Sequence, residues 1–186
     1  MNVMSLLRTW LYGIIWLLLC PLSAFTHAAC SSPNTAITQS NPNSDYTDNG
    51  DGTVTHEPTG LMWMRCVIGQ EWDGVNSCND TFDVGSETPI TWQTALTAAR
   101  NSTFAGHEDW RVPNKNELAT LIEDQCFNPA LNEAIFPGTA DSTVLWSSSP
   151  SAENATDVWA VDLTFGTITS RAKNLDGSVR LVRLGQ

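Results

Sequence analysis

The sequence predicts an α+β fold, in which a single domain carries two short helices between two β-rich ends. Apolar residues alternate over short segments in the first and last thirds, as they do in strands that bury one face. Two central segments instead repeat apolar residues at helical spacing, and each follows a residue that can cap a helix. The chain has 186 residues, a length that suits one domain with a sizeable core.

The N-terminal segment, residues 1–28, is predicted to be a cleaved signal peptide of an exported protein. Arg8 gives it a positive start, an apolar run covers residues 10–19, and small residues follow at the end, including Ala28. The run is shorter than the roughly 20 residues that cross a membrane, so no membrane span is expected after cleavage. The mature protein is expected in the periplasm, on the cell surface or outside the cell. A retained membrane anchor and a lipoprotein acylated at Cys30 are the alternatives.

The charge of the chain is strongly negative, with 20 Asp and Glu residues against 9 Lys and Arg residues and a formal net charge of −11. Such a surface repels phosphate backbones, so a nucleic-acid partner is not expected. The same charge opposes broad attraction to anionic lipids or sulfated glycans. An acidic surface also keeps an exported protein in solution without any specific partner.

Four cysteines remain after the predicted cleavage, and an even number in an exported chain indicates disulfides. Three pairings are possible. Cys66 and Cys78 flank a short glycine-containing loop and are natural partners, which leaves Cys30 to join Cys126. A zinc site is the competing interpretation, but the chain has no CxxC pair and its three histidines are scattered. No metal and no cofactor are therefore expected.

The first β-rich region follows a predicted flexible arm. Residues 29–44 are rich in Ser, Asn, Pro and Thr, so the domain itself is predicted over 45–186. The Asn-Gly and Asp-Gly pairs at 48–52 favour a hairpin turn, and residues 61–65 carry a later strand. The acids of this turn lack the order of an EF-hand calcium loop, so a β-meander is the better interpretation.

Two capped helices are predicted in the centre of the chain. The second follows Asn114, has Glu117 in the capping-box position and is predicted to end near Asp124. Trp110 precedes it in a short extended piece. The first helix follows Thr91, and its apolar residues recur at the spacing of one helical face: Trp92, Ala95, Leu96 and Ala99.

The last third is predicted to be β-rich, with strands over residues 145–149, 158–163, 167–169 and 179–184. Tryptophans on the apolar faces of predicted elements are expected in the core, namely Trp63, Trp92, Trp110, Trp146 and Trp159. Arginines next to apolar strands are expected to pair with acids rather than with a ligand, namely Arg65, Arg111, Arg180 and Arg183.

The order of five short motifs resembles the Lcl C-terminal domain family, which is named for the C-terminal domain of a bacterial collagen-like adhesin. The resemblance covers roughly residues 46–185. Each motif is weak alone, but five in the same order are specific. The motifs lie at residues 48–55, 59–63, 110–118, 146–149 and 179–183.

This resemblance implies a C-type-lectin-like fold, related to that of the formylglycine-generating enzymes, in an exported or surface domain of bacterial type. It also implies binding rather than catalysis, because the collagen-like member resembles an adhesin for sulfated polysaccharide. The present chain departs from that member in two ways. It has no Gly-X-Y repeat, and it lacks the positive charge that holds a polyanion.

The leading functional hypothesis is a non-catalytic, adhesin-like binding module for a glycan or a surface protein. In the lectin-like architecture that the chain resembles, loops between the late strands form the ligand face. Here these late loops are residues 147–157 and 170–178. Surface loops on a rigid scaffold commonly carry binding. Their candidate ligand-binding residues are Glu153, Asn154, Asp157, Arg171, Lys173, Asn174 and Asp176.

Two other functions stay open at this point. The chain resembles in equal measure a structural or accessory subunit of a surface assembly, such as a pilus or an outer-membrane complex. An enzyme related to the formylglycine-generating enzymes is less favoured, because those need a reactive pair of cysteines. The cysteines here are better placed as structural bridges, and no Ser-His-Asp or paired-carboxylate pattern stands out, so no catalytic residue is assigned.

Overall fold

The computed structural model describes residues 30, 33–80, 90–140 and 143–185. The predicted signal peptide lies outside the described residues. Two helices and antiparallel sheets confirm the α+β class. The helices are α1 (Trp92–Asn101) and α2 (Lys115–Ala119). The strands are β1 (Tyr46–Asp48), β2 (Thr53–His56), β3 (Leu61–Met64), β4 (Gln70–Trp72), β5 (Cys78–Asp80), β6 (Val144–Pro150), β7 (Asp157–Asp162), β8 (Thr167–Ala172) and β9 (Val182–Leu184).

A four-stranded antiparallel sheet joins the two ends of the domain in the order β1-β2-β3-β9. Trp63 of β3 lies opposite Val182 of β9, so the last strand closes the sheet that the first strands begin. The predicted hairpin turn between β1 and β2 is confirmed. Gly50 and Gly52 adopt positive φ values of 79° and 87° there, which residues with a side chain rarely adopt.

A three-stranded antiparallel sheet, in the order β6-β7-β8, forms the second layer. Leu145 and Val161 on one face join the core cluster that contains Trp63, whereas Trp146 and Ala160 belong to a second cluster. Both faces of this sheet are therefore covered. A third, two-stranded sheet of β4 and β5 lies within the loop between the cysteines of one disulfide, where the sequence indicated no strand.

The last predicted strand, over 179–184, is wrong in its first half, because regular pairing begins only at Val182. The guanidinium of Arg180 is fully buried and donates to the backbone carbonyls of Met64 and Arg65. It also donates to the Thr139 hydroxyl at 2.8 Å. A buried charge needs such partners, and meeting them takes the backbone around Arg180 out of regular strand pairing.

Both predicted helix caps are confirmed. The Thr91 hydroxyl accepts from the Thr94 amide, and Asn114 and Glu117 form a complete capping box. The prediction that the second helix ends near Asp124 is wrong, since it ends at Ala119. The Thr120 hydroxyl donates to the Glu117 carbonyl at 2.7 Å and closes the last turn. The chain then leaves the helix.

The end of the predicted arm is attached to the domain through a buried carboxylate. Glu123 accepts from the backbone amides of Ser40 and Asn41 at 3.0 and 2.9 Å. Asn132 in turn donates to the Asn41 carbonyl at 2.8 Å. The domain boundary at residue 45 stays a prediction, but these bonds already tie residues 40 and 41 to the core.

Both predicted disulfides are confirmed. Cys30 bonds to Cys126 across a sequence separation of 96 residues, and Cys66 bonds to Cys78 across 12. The long bridge joins the N-terminal arm to the chain just after α2, and the short one closes the loop that holds β4 and β5. Cross-links of this kind favour the folded state mainly by restricting the unfolded chain.

The tryptophan prediction is confirmed for four residues, including the half-buried Trp92, which packs against the second core cluster, and is wrong for Trp159. Trp63, Trp110 and Trp146 are buried, with Trp63 and Trp146 showing no exposed surface. Trp92 and Trp159 are only half-buried.

The arginine prediction holds for three residues, which form salt bridges: Arg65 with Asp48, Arg111 with Glu117, and Arg183 with Asp109.

Replacing the core tryptophan Trp110 by alanine should lower the free energy of unfolding by about 3–5 kcal/mol, as large-to-small core changes do. The side chain is 4% exposed, and its indole nitrogen donates to the Phe104 carbonyl at 2.9 Å. Denaturant unfolding followed by circular dichroism measures the change. Trp72→Ala, at a half-buried ring, is the matched control and should cost less. Equal stability of W110A and the parent would show that the core is misplaced.

Removing the long disulfide should cost more stability than removing the short one. In the chain-entropy model the loops of 96 and 12 residues are worth about 4.7 and about 2.8 kcal/mol. The comparison uses Cys30→Ser/Cys126→Ser against Cys66→Ser/Cys78→Ser, measured by denaturant unfolding of the purified proteins. The opposite ranking would show that loop length does not decide the contribution of these two disulfides to stability.

Candidate functional site

The two late loops lie side by side at one end of the three-stranded sheet. They are shorter than predicted, because residues 147–150 belong to β6, Asp157 begins β7 and residues 170–172 end β8. β7 and β8 pair antiparallel from Asp157 opposite Ala172 to Asp162 opposite Thr167. The beginning of β7 therefore meets the end of β8, and the Lys173 amide continues the ladder by donating to the Thr156 carbonyl at 3.0 Å. The sheet thus brings the predicted residues of both loops to one surface.

The two cations of the predicted site make contacts within these loops. Lys173 donates from Nζ to the Ala155 carbonyl at 2.7 Å and lies 5.0 Å from the centre of the Trp92 ring. Arg171 donates to the Asp176 carbonyl at 2.6 Å. Each therefore fixes the shape of a loop before any ligand arrives.

Two polar residues of the predicted site stabilise the turn that leads into β7. The side-chain oxygen of Asn154 accepts from the amide and the hydroxyl of Thr156, at 3.1 and 2.9 Å. The Asp157 carboxylate accepts from the Thr156 hydroxyl at 2.9 Å and from the Ser170 hydroxyl at 3.4 Å. Side-chain bonds to a nearby amide are typical of Asn and Asp in tight turns.

Four residues of the predicted site are exposed: Asn154, whose side-chain oxygen is used in the turn, and Glu153, Asn174 and Asp176. A carboxylate accepts hydrogen bonds, whereas an amide both donates and accepts them. Glu153 and Asn154 lie on the first late loop, and Asn174 and Asp176 lie on the second. The loops therefore offer hydrogen-bonding groups from two sides of the same surface.

Two half-buried tryptophans border the late loops, although the sequence indicated core positions for both. The Trp92 indole nitrogen donates to the Ser147 carbonyl at 2.9 Å, and the Ser147 hydroxyl donates to the Trp159 carbonyl at 2.6 Å. Nζ of Lys115 lies 4.6 Å from the centre of the Trp159 ring. Strand alternation separates Trp159 from Val158, but only knowledge of the neighbouring element shows how far that face is covered.

The start of α2 supports the first late loop. The Ser148 amide donates to the Pro113 carbonyl at 2.7 Å, and the Lys115 amide donates to the Ser149 hydroxyl at 3.1 Å. Arg111 holds the Glu117 carboxylate through two bonds of 2.7 Å. Burial acts to raise the pKa of Glu117, but the bonds from Arg111 and from the Asn114 amide outweigh it and lower that pKa. The Glu117 carboxylate of the capping box therefore stays ionised at neutral pH.

No group of three or more His, Cys, Asp or Glu side chains converges on a metal position in the part of the chain that the structure describes. In the same ranges, no helix combines the length and the apolar character needed to cross a bilayer. The four described cysteines are joined in the two disulfides. What the late loops present is a fixed surface of polar groups and aromatic edges.

A family model described as the Lcl C-terminal domain matches residues 52–183, which is more than half of the sequence. The chain belongs to the Lcl C-terminal domain family. Membership supports a surface-associated domain, and the two disulfides of this Lcl C-terminal domain fit an oxidising compartment. No curated protein matches the sequence.

Lys173→Ala should loosen the first late loop of this Lcl C-terminal domain while costing about 1 kcal/mol or less, since the contact is near the surface. The expected result is faster hydrogen exchange at the Thr156 and Asp157 amides, which bond to Asn154 at 3.1 and 3.0 Å. Exchange followed by NMR or mass spectrometry measures it. Asn174→Ala, at an exposed neighbour, is the control. Unchanged exchange in K173A would mean that the loop holds its shape without the lysine.

Proposed function

We propose that this Lcl C-terminal domain is a non-catalytic binding module of an exported protein and recognises a glycan or a surface protein. Its recognition surface consists of the late loops, 147–157 and 170–178, together with the rings of Trp92 and Trp159. The observation that carries the proposal is the set of hydrogen bonds that fix these loops while other polar side chains remain exposed.

Pre-ordered loops favour recognition because binding then loses less conformational entropy. Immobilising a flexible side chain or loop costs roughly 0.5–1.5 kcal/mol for each ordered side chain. Lys173 and Arg171 are already fixed by bonds to the Ala155 and Asp176 carbonyls. Ligand contacts therefore fall to exposed residues such as Glu153 and Asn174.

The half-buried tryptophans add the apolar part of the surface. An indole ring offers a large flat face with little conformational freedom to lose, which suits stacking on a sugar ring or on an apolar side chain. The Trp92 indole and the Trp159 backbone carbonyl both bond to Ser147, so the two residues lie near the same part of β6. The net charge of −11 opposes a sulfated polysaccharide, which favours a neutral glycan or a protein.

Glycan and envelope-protein arrays probed with the oxidised mature domain test this proposal. The double change Glu153→Ala/Asn174→Ala, and separately Trp159→Phe, should weaken binding by about tenfold or more, as expected when a ligand loses a charged or well-packed contact. Glu71→Ala/Asn76→Ala, on the exposed side chains of the β4–β5 hairpin, is the matched control. A ligand bound equally well by all of these variants would remove the late loops from the site.

A second function, that of an accessory subunit in a surface assembly, is favoured by the edge of the three-stranded sheet. β8 is one of the two edge strands in the described sheet order, and Ile168 within it is 41% exposed. Phe165, in the turn before it, is 71% exposed. An exposed edge with apolar side chains can pair with a strand of another chain.

Affinity capture from the envelope fraction separates the two functions. A stoichiometric protein partner that is lost in Ile168→Lys, but kept in Glu153→Ala/Asn174→Ala, would establish the subunit. A ligand with the opposite dependence supports the late-loop module. Thiol titration of the native protein tests the non-catalytic part of the proposal, because a reactive free cysteine would restore the enzyme hypothesis.

A further inference from the structure

A cavity of about 450 Å³ lies at the other end of the three-stranded sheet from the late loops. It reaches Gly166, in the turn between β7 and β8, whereas the late loops adjoin the opposite ends of these strands. Its size falls within the range of small-molecule sites. The polar side chains that line it are Ser40, Asn41, Asp45, His56, Thr59, Thr120 and Asp124.

The cavity is electrostatically negative. Asp45 and Asp124 line it, and its lining contains no Lys or Arg. Behind its wall lies the fully buried carboxylate of Glu123, between the lining residues Ile122 and Asp124. In the described ranges no Lys or Arg forms a salt bridge with Glu123, and its bonds come from neutral donors that include the amides of Ser40 and Gln125. A charge in a low-dielectric wall acts strongly on the neighbouring space.

His56 brings a buried imidazole ring to the cavity. Its side chain is 4% exposed, and its ring stacks on Tyr46 with centres 4.8 Å apart. Nδ1 lies 2.8 Å from the Thr59 hydroxyl oxygen, and that hydroxyl donates its one hydrogen to the His56 carbonyl at 3.3 Å. With the ring proton on Nδ1, both of these contacts are hydrogen bonds, and Nε2 then keeps its lone pair.

The second ring nitrogen of His56 is not used in a hydrogen bond within the described part of the protein. Among the described residues, no hydrogen-bond partner meets Nε2 of His56. Burial lowers the pKa of His56 and outweighs the opposing effect of Asp45 and Glu57. The imidazole is therefore neutral at pH 7. A neutral acceptor in a negative cavity suits a ligand that brings both a positive charge and hydrogen-bond donors.

We propose that this cavity binds the primary ammonium group of a small polyhydroxylated ligand, such as an amino sugar. An ammonium group has three donors and a positive charge, which match Nε2 of His56 and the carboxylates of Asp45 and Asp124. The hydroxyls of Thr59 and Thr120 line the same space and suit ligand hydroxyls. A metal ion fits less well, because no group of three His, Cys, Asp or Glu side chains converges in the described residues.

Titration of the oxidised mature domain with glucosamine, N-acetylglucosamine and glucose at pH 7, followed by NMR, tests the assignment. Glucosamine should bind and shift the signals of His56 and Thr59. The two neutral sugars should bind about tenfold more weakly or not at all, because they lack the charged donor. Ethanolamine carries an ammonium group but no sugar ring, so it measures the contribution of the charge without the contacts to ring hydroxyls. Calcium chloride tests whether the cavity binds a metal ion instead.

Variants distinguish this cavity from the late loops. Asp124→Asn and His56→Gln should each weaken glucosamine binding by about tenfold. Glu108→Gln makes the same charge change at an exposed residue outside the lining and should leave binding unchanged. Glu153→Ala/Asn174→Ala should also leave it unchanged, even where it abolishes binding of the late-loop ligand. Asp124 is exposed, so D124N keeps the test valid if H56Q does not fold.

Three results would overturn the proposal: no glucosamine binding at millimolar concentrations, equal binding of glucosamine and N-acetylglucosamine, or equal loss in D124N and E108Q. Competition of calcium with glucosamine at the same residues would reassign the cavity to a metal. Each of these results leaves the late-loop module untouched, because that module is tested with different ligands and different variants.

Discussion

The buried guanidinium of Arg180 is the constraint on which the rest of this fold depends. Burying a charged group is costly unless it is hydrogen-bonded, and here Nη1 donates to the carbonyls of Met64 and Arg65 while Nη2 donates to the Thr139 hydroxyl. Arg180 thereby joins the first sheet to the segment before β6. On its two sides, Ser178 bridges β6 and Val182 begins the pairing with β3. The position of the second late loop therefore follows from this residue.

Local signals predicted the helices and turns well because the interactions that form them are local. Asn114 and Glu117 lie three residues apart, so the capping box is complete within its own segment. The hairpin at Gly50 and Gly52 likewise depends on backbone conformation at two adjacent positions. The end of α2 was missed because the Thr120 hydroxyl bonds back to the helix, a contact that the apolar periodicity does not show.

The position of the candidate surface could be predicted from the sequence, but the exposure of its individual side chains could not. Strand order makes the late loops neighbours, and this follows from two hairpin-connected strands. Which side chains face outward depends on partners that are distant in sequence. Lys173, for example, lies near the Trp92 ring. Trp159 shows the same limit, since alternation assigns it a face but the extent of its cover is set by Lys115 on another element. No sequence pattern indicated the cavity at His56, because lining residues such as Ser40 and Asp124 are far apart in the chain.

The long disulfide determines at which end of the three-stranded sheet the N-terminal arm joins the domain. Cys30 is bonded to Cys126, and the neighbouring Asn128 amide donates to the Thr164 carbonyl in the turn between β7 and β8. The chain thus enters the fold at the pole of the sheet remote from residues 147–157. Any attachment upstream of Cys30 would hold that pole and leave the opposite one facing the surroundings. Ser40, in one wall of the His56 cavity, is held by its own bonds to Glu123, so a reducing agent would free Cys30 while those bonds still hold the wall.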